Sequence, residues 1–278
     1  LAILLPFTCA GQTFLSAVSA APPQVVRESP DRAQNGLALS AGSGDPRTTS
    51  TDWPGFLGPH RNGKSDEHGL PNAWPPKGLP VVWQQAVGTG YSAPAISNGQ
   101  LFHFSRTKDS AQLKCLNAET GAEQWTCEYP TNFVDMLGYN NGPRATPVVD
   151  GPNVYTFGAE GVLQCVRIAD GHPAWRIDTT TQFNVVKNFF GVGSTPLVWH
   201  DLLLVNVGGS PPGGPPDVYS ANGAVDSNGS AIVAFDKATG AVRWQTGNDL
   251  ASYSSPVVAK INGRDTKHIL KHALRNAL

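Results

Sequence analysis

One phrase occurs three times in this chain: Leu116-Asn-Ala-Glu-Thr-Gly121-Ala-Glu-Gln-Trp125, Val166-Arg-Ile-Ala-Asp-Gly171-His-Pro-Ala-Trp175 and Phe235-Asp-Lys-Ala-Thr-Gly240-Ala-Val-Arg-Trp244. A turn that recurs with a tryptophan at a fixed distance requires a fold of repeated units, each offering its tryptophan the same kind of neighbour. Glycine supplies the positive φ that closes such a turn, and an Asp or Asn ahead of it bonds the turn's own N–H groups. Each copy therefore reads as a hairpin with Trp125, Trp175 or Trp244 on the returning strand.

A second phrase precedes each copy and recurs near the end: Ser92-Ala-Pro94, Ala145-Thr-Pro147, Ser194-Thr-Pro196 and Ser254-Ser-Pro256. Proline cannot donate to a ladder, so the strand it opens is an edge strand, here the innermost one beside a central axis. Asn98-Gly99 and Asp150-Gly151, set between apolar runs, then turn the chain into a second strand. One unit is four antiparallel strands. The predicted fold is all-β: a partial β-propeller over 91–278, with about three complete blades and part of a fourth.

The third unit is roughly twenty residues longer than the second. The surplus lies at 208–230, where Gly, Pro, Ser and Asn dominate, and it is predicted to be a projecting loop.

The block Ala234-Phe-Asp236-Lys-Ala-Thr-Gly240-Ala-Val-Arg-Trp244 resembles the pyrroloquinoline quinone (PQQ) repeat, whose pattern is A-x-D-x-x-T-G-x-x-x-W. The first copy has Asn117 for the Asp, and the second has Arg167 and Asp170 where Asp and Thr are expected, while Gly121, Trp125, Gly171 and Trp175 are kept. The segments at 52–63, 142–147 and 252–256 are similar to PQQ-like propeller proteins of planctomycete-type bacteria. The resemblance implies the superfamily that holds both quinoprotein alcohol dehydrogenases and BamB-like assembly lipoproteins. Family propellers usually close with about eight blades. The chain is accordingly read as a fragment that stops in mid-blade.

Residues 1–20 have an apolar core and small residues at Val18-Ser-Ala20, the pattern of a Sec signal peptide lacking its charged start, with cleavage after Ala20. Residues 21–51 read as a disordered spacer. Residues 52–90 form an N-terminal segment carrying a lone outer strand near Trp83. The final stretch from Thr266 replaces strand alternation with apolar residues at helical spacing. The expectation is an exported protein of the periplasm or cell envelope, with no transmembrane segment after signal removal.

With 20 basic and 21 acidic residues the formal charge is −1, which gives no electrostatic footprint for nucleic acid. Cys115, Cys127 and Cys165 would remain after export, and Cys115 and Cys165 hold equivalent positions in successive units, so they read as buried small residues rather than a bridge. His268 and His272 have the spacing of ligands on a helix, yet no third ligand accompanies them, and no metal is expected. Asn228-Gly-Ser230 fits a glycosylation sequon and reads as a turn.

A binding site is predicted where the chain enters each inner strand. Tyr139, Asn140, Asn141 and Arg144 precede Pro147, and Asn188 and Tyr253 stand in corresponding places later. Such a set can hold an anionic or sugar-like ligand by directed hydrogen bonds, or Arg144 can tie neighbouring blades together through backbone carbonyls. No catalytic residue is assigned. What the resemblance implies for an enzyme is a quinone, a Ca²⁺ held by carboxylate and amide oxygens, a carboxylate base and, in many members, adjacent cysteines. No Cys-Cys pair occurs. The function expected is a non-catalytic binding or assembly scaffold, with a protein or carbohydrate partner on the loop face. The alternative is the N-terminal part of a PQQ-dependent oxidoreductase acting on alcohols or sugars, with PQQ and calcium as cofactors.

Overall fold

The computed structural model describes residues 52–69, 72–257, 259–261 and 264–266. The signal-like segment, the spacer, His268, His272 and the helical-period tail lie outside the described residues.

Three four-stranded antiparallel sheets follow one another along the chain. The first is β1 (Ala95–Ser97), β2 (Gln100–Thr107), β3 (Ser110–Asn117) and β4 (Glu123–Pro130). The second is β5 (Val148–Asp150), β6 (Asn153–Phe157), β7 (Val162–Arg167) and β8 (Pro173–Asp178). A five-residue helix, α1 (Thr179–Phe183), leads to the third: β9 (Leu197–Trp199), β10 (Leu202–Asn206), β11 (Ile232–Asp236) and β12 (Val242–Thr246). A hairpin of β13 (Ala259–Ile261) and β14 (Arg264–Thr266) opens a fourth. These sheets are the blades of a β-propeller, in agreement with the repeat.

Within each complete blade the strands pair in chain order, so β1, β5 and β9 are edges. Each begins directly after its proline, Pro94, Pro147 or Pro196. β5 has both β1 and β9 as neighbours, which puts the three proline-opened strands side by side at the inner rim.

Alternation within the strands sends two apolar faces out of each blade. Phe102, Phe104, Leu113 and Cys115 of the first blade meet Val149, Val154 and Val166 of the second. Tyr155, Phe157, Leu163 and Cys165 of the second meet Leu203, Val205, Val233 and Phe235 of the third. These layers between blades are the core. Cys115, Cys127 and Cys165 are buried free thiols within it.

The glycine turns have left-handed backbones, with φ of 71° at Gly121, 71° at Gly171 and 76° at Gly240. In the intact copy the Oδ1 of Asp236 accepts from the backbone N–H groups of Ala238 and Thr239 and from the Thr239 hydroxyl. Asn117 does the same for Glu119 and Thr120. In the degenerate copy the polarity is exchanged: the Arg167 guanidinium donates to Asp170, whose Oδ1 accepts from the N–H of His172. Each turn is followed by a register shift in the outer pairing, at Cys115/Leu116, Cys165/Val166 and Ala234/Phe235.

The tryptophans join blade to blade. A Cβ placed on Gly171 would stand 2.7 Å from the Trp125 ring, and one on Gly240 would stand 2.9 Å from the Trp175 ring. The indole of Trp125 donates to the carbonyl of Ile168 at 2.8 Å, and that of Trp175 to Lys237 at 3.1 Å. Trp83 makes the same pair of contacts ahead of the first blade: its ring covers Gly121, and its Nε1 donates to Ala118 at 3.0 Å. Each indole therefore covers the turn glycine of the following blade and bonds the carbonyl three residues before it.

Candidate functional site at the entry to the inner strands

A cavity of about 820 Å³ runs along the inner strands. Toward the ends of these strands it is bounded by residues 54–61, a strap that laces three blades. Trp53 pairs in both directions with Ile96, the Pro54 carbonyl accepts from the N–H of Val149, and Arg61 donates to the carbonyl of Val198. Gly58, at φ 74°, lies against the Trp53 ring, where a Cβ would approach to 2.6 Å. Burial pulls the Arg61 guanidinium below its ordinary value, opposed by Asp150.

Where the later inner strands begin, the residue before the proline (Thr146, Thr195 or Ser255) carries a hydroxyl, and two of these hydroxyls tie one blade to the next. The N–H of Thr146 donates to Oγ1 of Thr195 at 3.2 Å, and the N–H of Thr195 donates to Oγ of Ser255 at 2.9 Å. This belt gives the Thr195 and Ser255 hydroxyls a reason to stand before their prolines: each satisfies the preceding blade's backbone donor, which no ladder reaches, while the first copy has Ala93 at that place.

At the same end stand Tyr91, Arg144 and Tyr253, which line the cavity. Arg144 is nearly buried. Its Nη1 donates to the Gly142 carbonyl at 2.6 Å, and its Nη2 to the Asn140 carbonyl at 2.7 Å and to Oδ2 of Asp135 at 2.6 Å. Phe133 and Tyr91 present ring faces to the guanidinium at 5.3 and 5.8 Å. Burial lowers the Arg144 pKa, and the Asp135 carboxylate opposes that shift. All of its hydrogen-bond partners belong to the connection between the first two blades. Arg144 braces that connection from within.

Asp135 is the hub of the connection and was not singled out from the sequence. Its side chain is fully buried. It accepts from the backbone N–H groups of Leu137 and Asn140 as well as from Arg144. Arg106 supports the same connection from β2, donating to the carbonyls of Phe133 and Asn141. The spacing that betrays Asp135 is local: a carboxylate set among Phe133, Val134, Met136 and Leu137 needs partners, and the nearest donors are its own turn.

Asn140 and Asn141 each spend the side-chain oxygen on the connection, accepting from the N–H of Gly142 and of Asp135, both at 2.8 Å. Neither amide nitrogen has a hydrogen-bond partner among the described residues. Asn188 is buried, its Oδ1 accepting from the N–H of Phe189 and its Nδ2 donating to the carbonyl of Ala251. Tyr253 accepts from the N–H of Phe190 at 3.0 Å, and burial raises its phenol pKa.

These contacts gather an aromatic strip. Tyr139 faces Phe190 with ring centroids 6.1 Å apart, Phe190 faces Tyr253 at 5.5 Å and Phe189 at 6.5 Å, and Phe189 meets Tyr219 edge-on at 5.1 Å. Tyr139 and Tyr219 remain 69% and 59% exposed. Tyr219 belongs to the 208–230 segment, which does not project freely. It folds back on the chain after α1, with Ser210 donating to the Asn184 carbonyl, Lys187 to Pro216 and Val218 to Lys187. Asn228 pins the segment's base, its amide donating to the carbonyls of Phe183 and Ser210.

A quinone and calcium site of the kind the repeat implies would need uncommitted carboxylates. Asp150, which lines the cavity, is paired with Lys237 at 2.6 Å, and Asp135, buried behind Arg144, is paired with it. Among the described residues no three His, Cys, Asp or Glu side chains stand close enough to hold a metal ion. The described residues therefore do not by themselves fit that group. No helix among them is long and apolar enough to cross a membrane.

Blades locked by tryptophan on glycine, around an axis entered past proline, define a propeller of the PQQ-repeat class. The model of the family described as outer membrane protein assembly factor BamB matches residues 75–264, and the chain belongs to that family. Comparison with curated protein sequences gave no match. Among solved structures the chain is similar to BamB from Moraxella catarrhalis, at 17% identity over 62% of this chain and 40% of that one, with a TM-score of 0.35. It is also similar to the quinohemoprotein alcohol dehydrogenase of Comamonas testosteroni, at 15% identity over 78% and 45% with a TM-score of 0.42. A europium-containing methanol dehydrogenase matches at 14% identity over 57% and 25%, with a TM-score of 0.39. The chain spans less than half the length of each of these proteins.

Proposed function

We propose that the chain belongs to a non-catalytic, exported binding scaffold of the cell envelope, which receives its partner on the face where the inner strands begin. The observation that carries this reading is the state of the groups at that face. Arg144, the cation best placed to act on a ligand, has its charge neutralised by Asp135 and its donors spent on the Asn140 and Gly142 carbonyls. What the entry face offers a ligand is ring faces, phenol hydroxyls and amide nitrogens, a set suited to binding. The signal-like pattern ending at Ala20 supports export, as does the chain's family.

The alternative, a quinoprotein oxidoreductase on alcohols or sugars, is separated by one experiment. The protein is incubated with PQQ and Ca²⁺, desalted, and examined for quinone absorbance and for dye reduction with ethanol and glucose. No retained quinone and no dye reduction are expected. Stoichiometric quinone with substrate-dependent dye reduction overturns the scaffold.

A further inference from the structure

We propose that the aromatic strip formed by Tyr139, Phe190, Phe189 and Tyr219 is a binding platform for a neutral oligosaccharide chain; this deepens the scaffold reading and rests on it. Three properties of the strip select that ligand class.

The first is shape. Four rings from three separate connections follow one another at centroid distances of 6.1, 6.5 and 5.1 Å, and the two terminal tyrosines are mostly exposed. Exposed ring faces are electron-rich and meet the polarised C–H faces of sugar rings, while the phenol oxygens at their edges stay wet. A run of rings suits a chain of sugar units better than a single small molecule.

The second is polarity. The oxygens of Asn140 and Asn141 are held by backbone N–H groups, which fixes both amide planes and leaves the NH₂ groups as uncommitted donors beside Tyr139. Directed neutral donors match hydroxyl acceptors.

The third is charge. The guanidinium at this end is paired with a buried carboxylate, and the exposed Lys187 shares a backbone bridge with Asp217, whose carboxylate charge it partly offsets. Arg144 with Asp135 and Lys187 with Asp217 leave no net positive charge on the strip, so the desolvation of an anionic ligand would go largely uncompensated. The rings are also fixed before a ligand arrives. Tyr253 holds the N–H of Phe190, and Gly191, at φ 68°, packs so closely that a Cβ there would stand 2.2 Å from the Ala159 carbonyl and 2.6 Å from the Phe133 ring. Fixed rings reduce the ordering that binding requires.

The test is calorimetric titration of the protein with cellohexaose, laminarihexaose and chitohexaose, with hexagalacturonate as the anionic comparison. At least one neutral hexasaccharide is expected to bind saturably, and hexagalacturonate more weakly. Tyr139→Ala and Tyr219→Ala are each expected to weaken that binding about tenfold; both side chains are exposed, so far-UV circular dichroism should match the parent. Tyr139→Phe keeps the ring face and should stay within about threefold of the parent. No heat with any neutral hexasaccharide overturns the proposal, and so does binding that survives both alanine substitutions. Capture of a protein partner that needs Tyr139 and Tyr219, with no sugar binding, overturns the oligosaccharide and leaves the scaffold standing. Sugar-dependent dye reduction with PQQ overturns the scaffold, while titrations that still depend on the two tyrosines uphold the platform.

Discussion

Substituting Gly171 by alanine isolates the contact between blades from the conformational demand of the turn, because the chain supplies its own control. Gly99 and Gly171 have nearly the same left-handed φ, 73° and 71°. A Cβ on Gly99 meets nothing within 4 Å, whereas a Cβ on Gly171 would lie 2.7 Å from Cδ2 and 2.8 Å from Cε3 of Trp125. Gly99→Ala therefore carries only the left-handed penalty of an L-residue, about 1–2 kcal/mol.

Gly171→Ala carries that penalty and must also displace the indole. The ring cannot slide freely, because its Nε1 is bonded to Ile168 at 2.8 Å. Overpacking adds about 1–3 kcal/mol, and loss of the hydrogen bond about 0.5–1.5 kcal/mol. The excess of Gly171→Ala over Gly99→Ala is thus expected near ~2–4 kcal/mol. Guanidinium unfolding followed by far-UV circular dichroism measures it, with Trp125→Ala and the double variant completing a cycle. Once the ring is absent the excess should vanish, giving a coupling of about 2 kcal/mol or more. Equal destabilisation by Gly99→Ala and Gly171→Ala, or no coupling to Trp125, refutes the lock.

Three further outcomes are expected. Asp135→Ala leaves the Arg144 charge buried without its counter-ion and should destabilise by about 3–5 kcal/mol, part of which returns in Asp135→Ala/Arg144→Met, read from denaturant midpoints. Hydrogen bonding from Arg167 and Arg243 holds the folded-state pKa values of Asp170 and Asp236 at about 2, below the ordinary 3.8. Their contribution is present above the ordinary value and is lost as pH falls through the folded value, so stability should drop between about pH 4 and pH 2, less steeply in high salt and in Asp236→Asn. Burial raises the Cys115 and Cys165 thiols to about 11, so iodoacetamide at pH 8 should label neither in the folded protein and both once denaturant has unfolded it.

The blades were legible because each rule they obey acts within a short stretch. Gly240 and Trp244 fix a turn and a strand, and Pro196 fixes which strand forms an edge. The second copy was legible for the same reason, although its motif is eroded: Arg167 and Asp170 exchange the donor and acceptor that Asp236 and Thr239 supply elsewhere. What the sequence hid are pairings across long separations. That Trp125 covers a glycine 46 positions on is a relation between units, and a repeat announces the unit more loudly than its junction. Asp135 belongs to no recurring phrase, and the hydroxyls of Thr195 and Ser255 receive N–H groups from residues distant along the chain. Arg144 was visible as a charge near the axis, but nothing local says that its donors are already taken by its own connection. The 208–230 segment shows the limit of composition. Its Gly and Pro content correctly excludes a packed strand, yet Asn228 and Ser210 bind it down, because a loop that long has backbone groups to satisfy wherever it touches the protein.

Two sets of ties between blades, at different radii, explain where function can reside. At the outer strands tryptophan covers glycine, and at the inner rim a hydroxyl receives the neighbour's N–H. Apolar layers fill the space between. With both rims and the middle fixed, the loops at this end are released from holding the ring together, and they differ from unit to unit as the repeat itself does not: of the connections into the inner strands, 131–146 carries Asp135 and two free amides and 184–195 carries paired phenylalanines, while 208–230, between β10 and β11, is long enough to bring Tyr219 back over them. Chemistry concentrated in the variable connections, over ties kept constant, is what a scaffold needs in order to change its ligand without changing its fold.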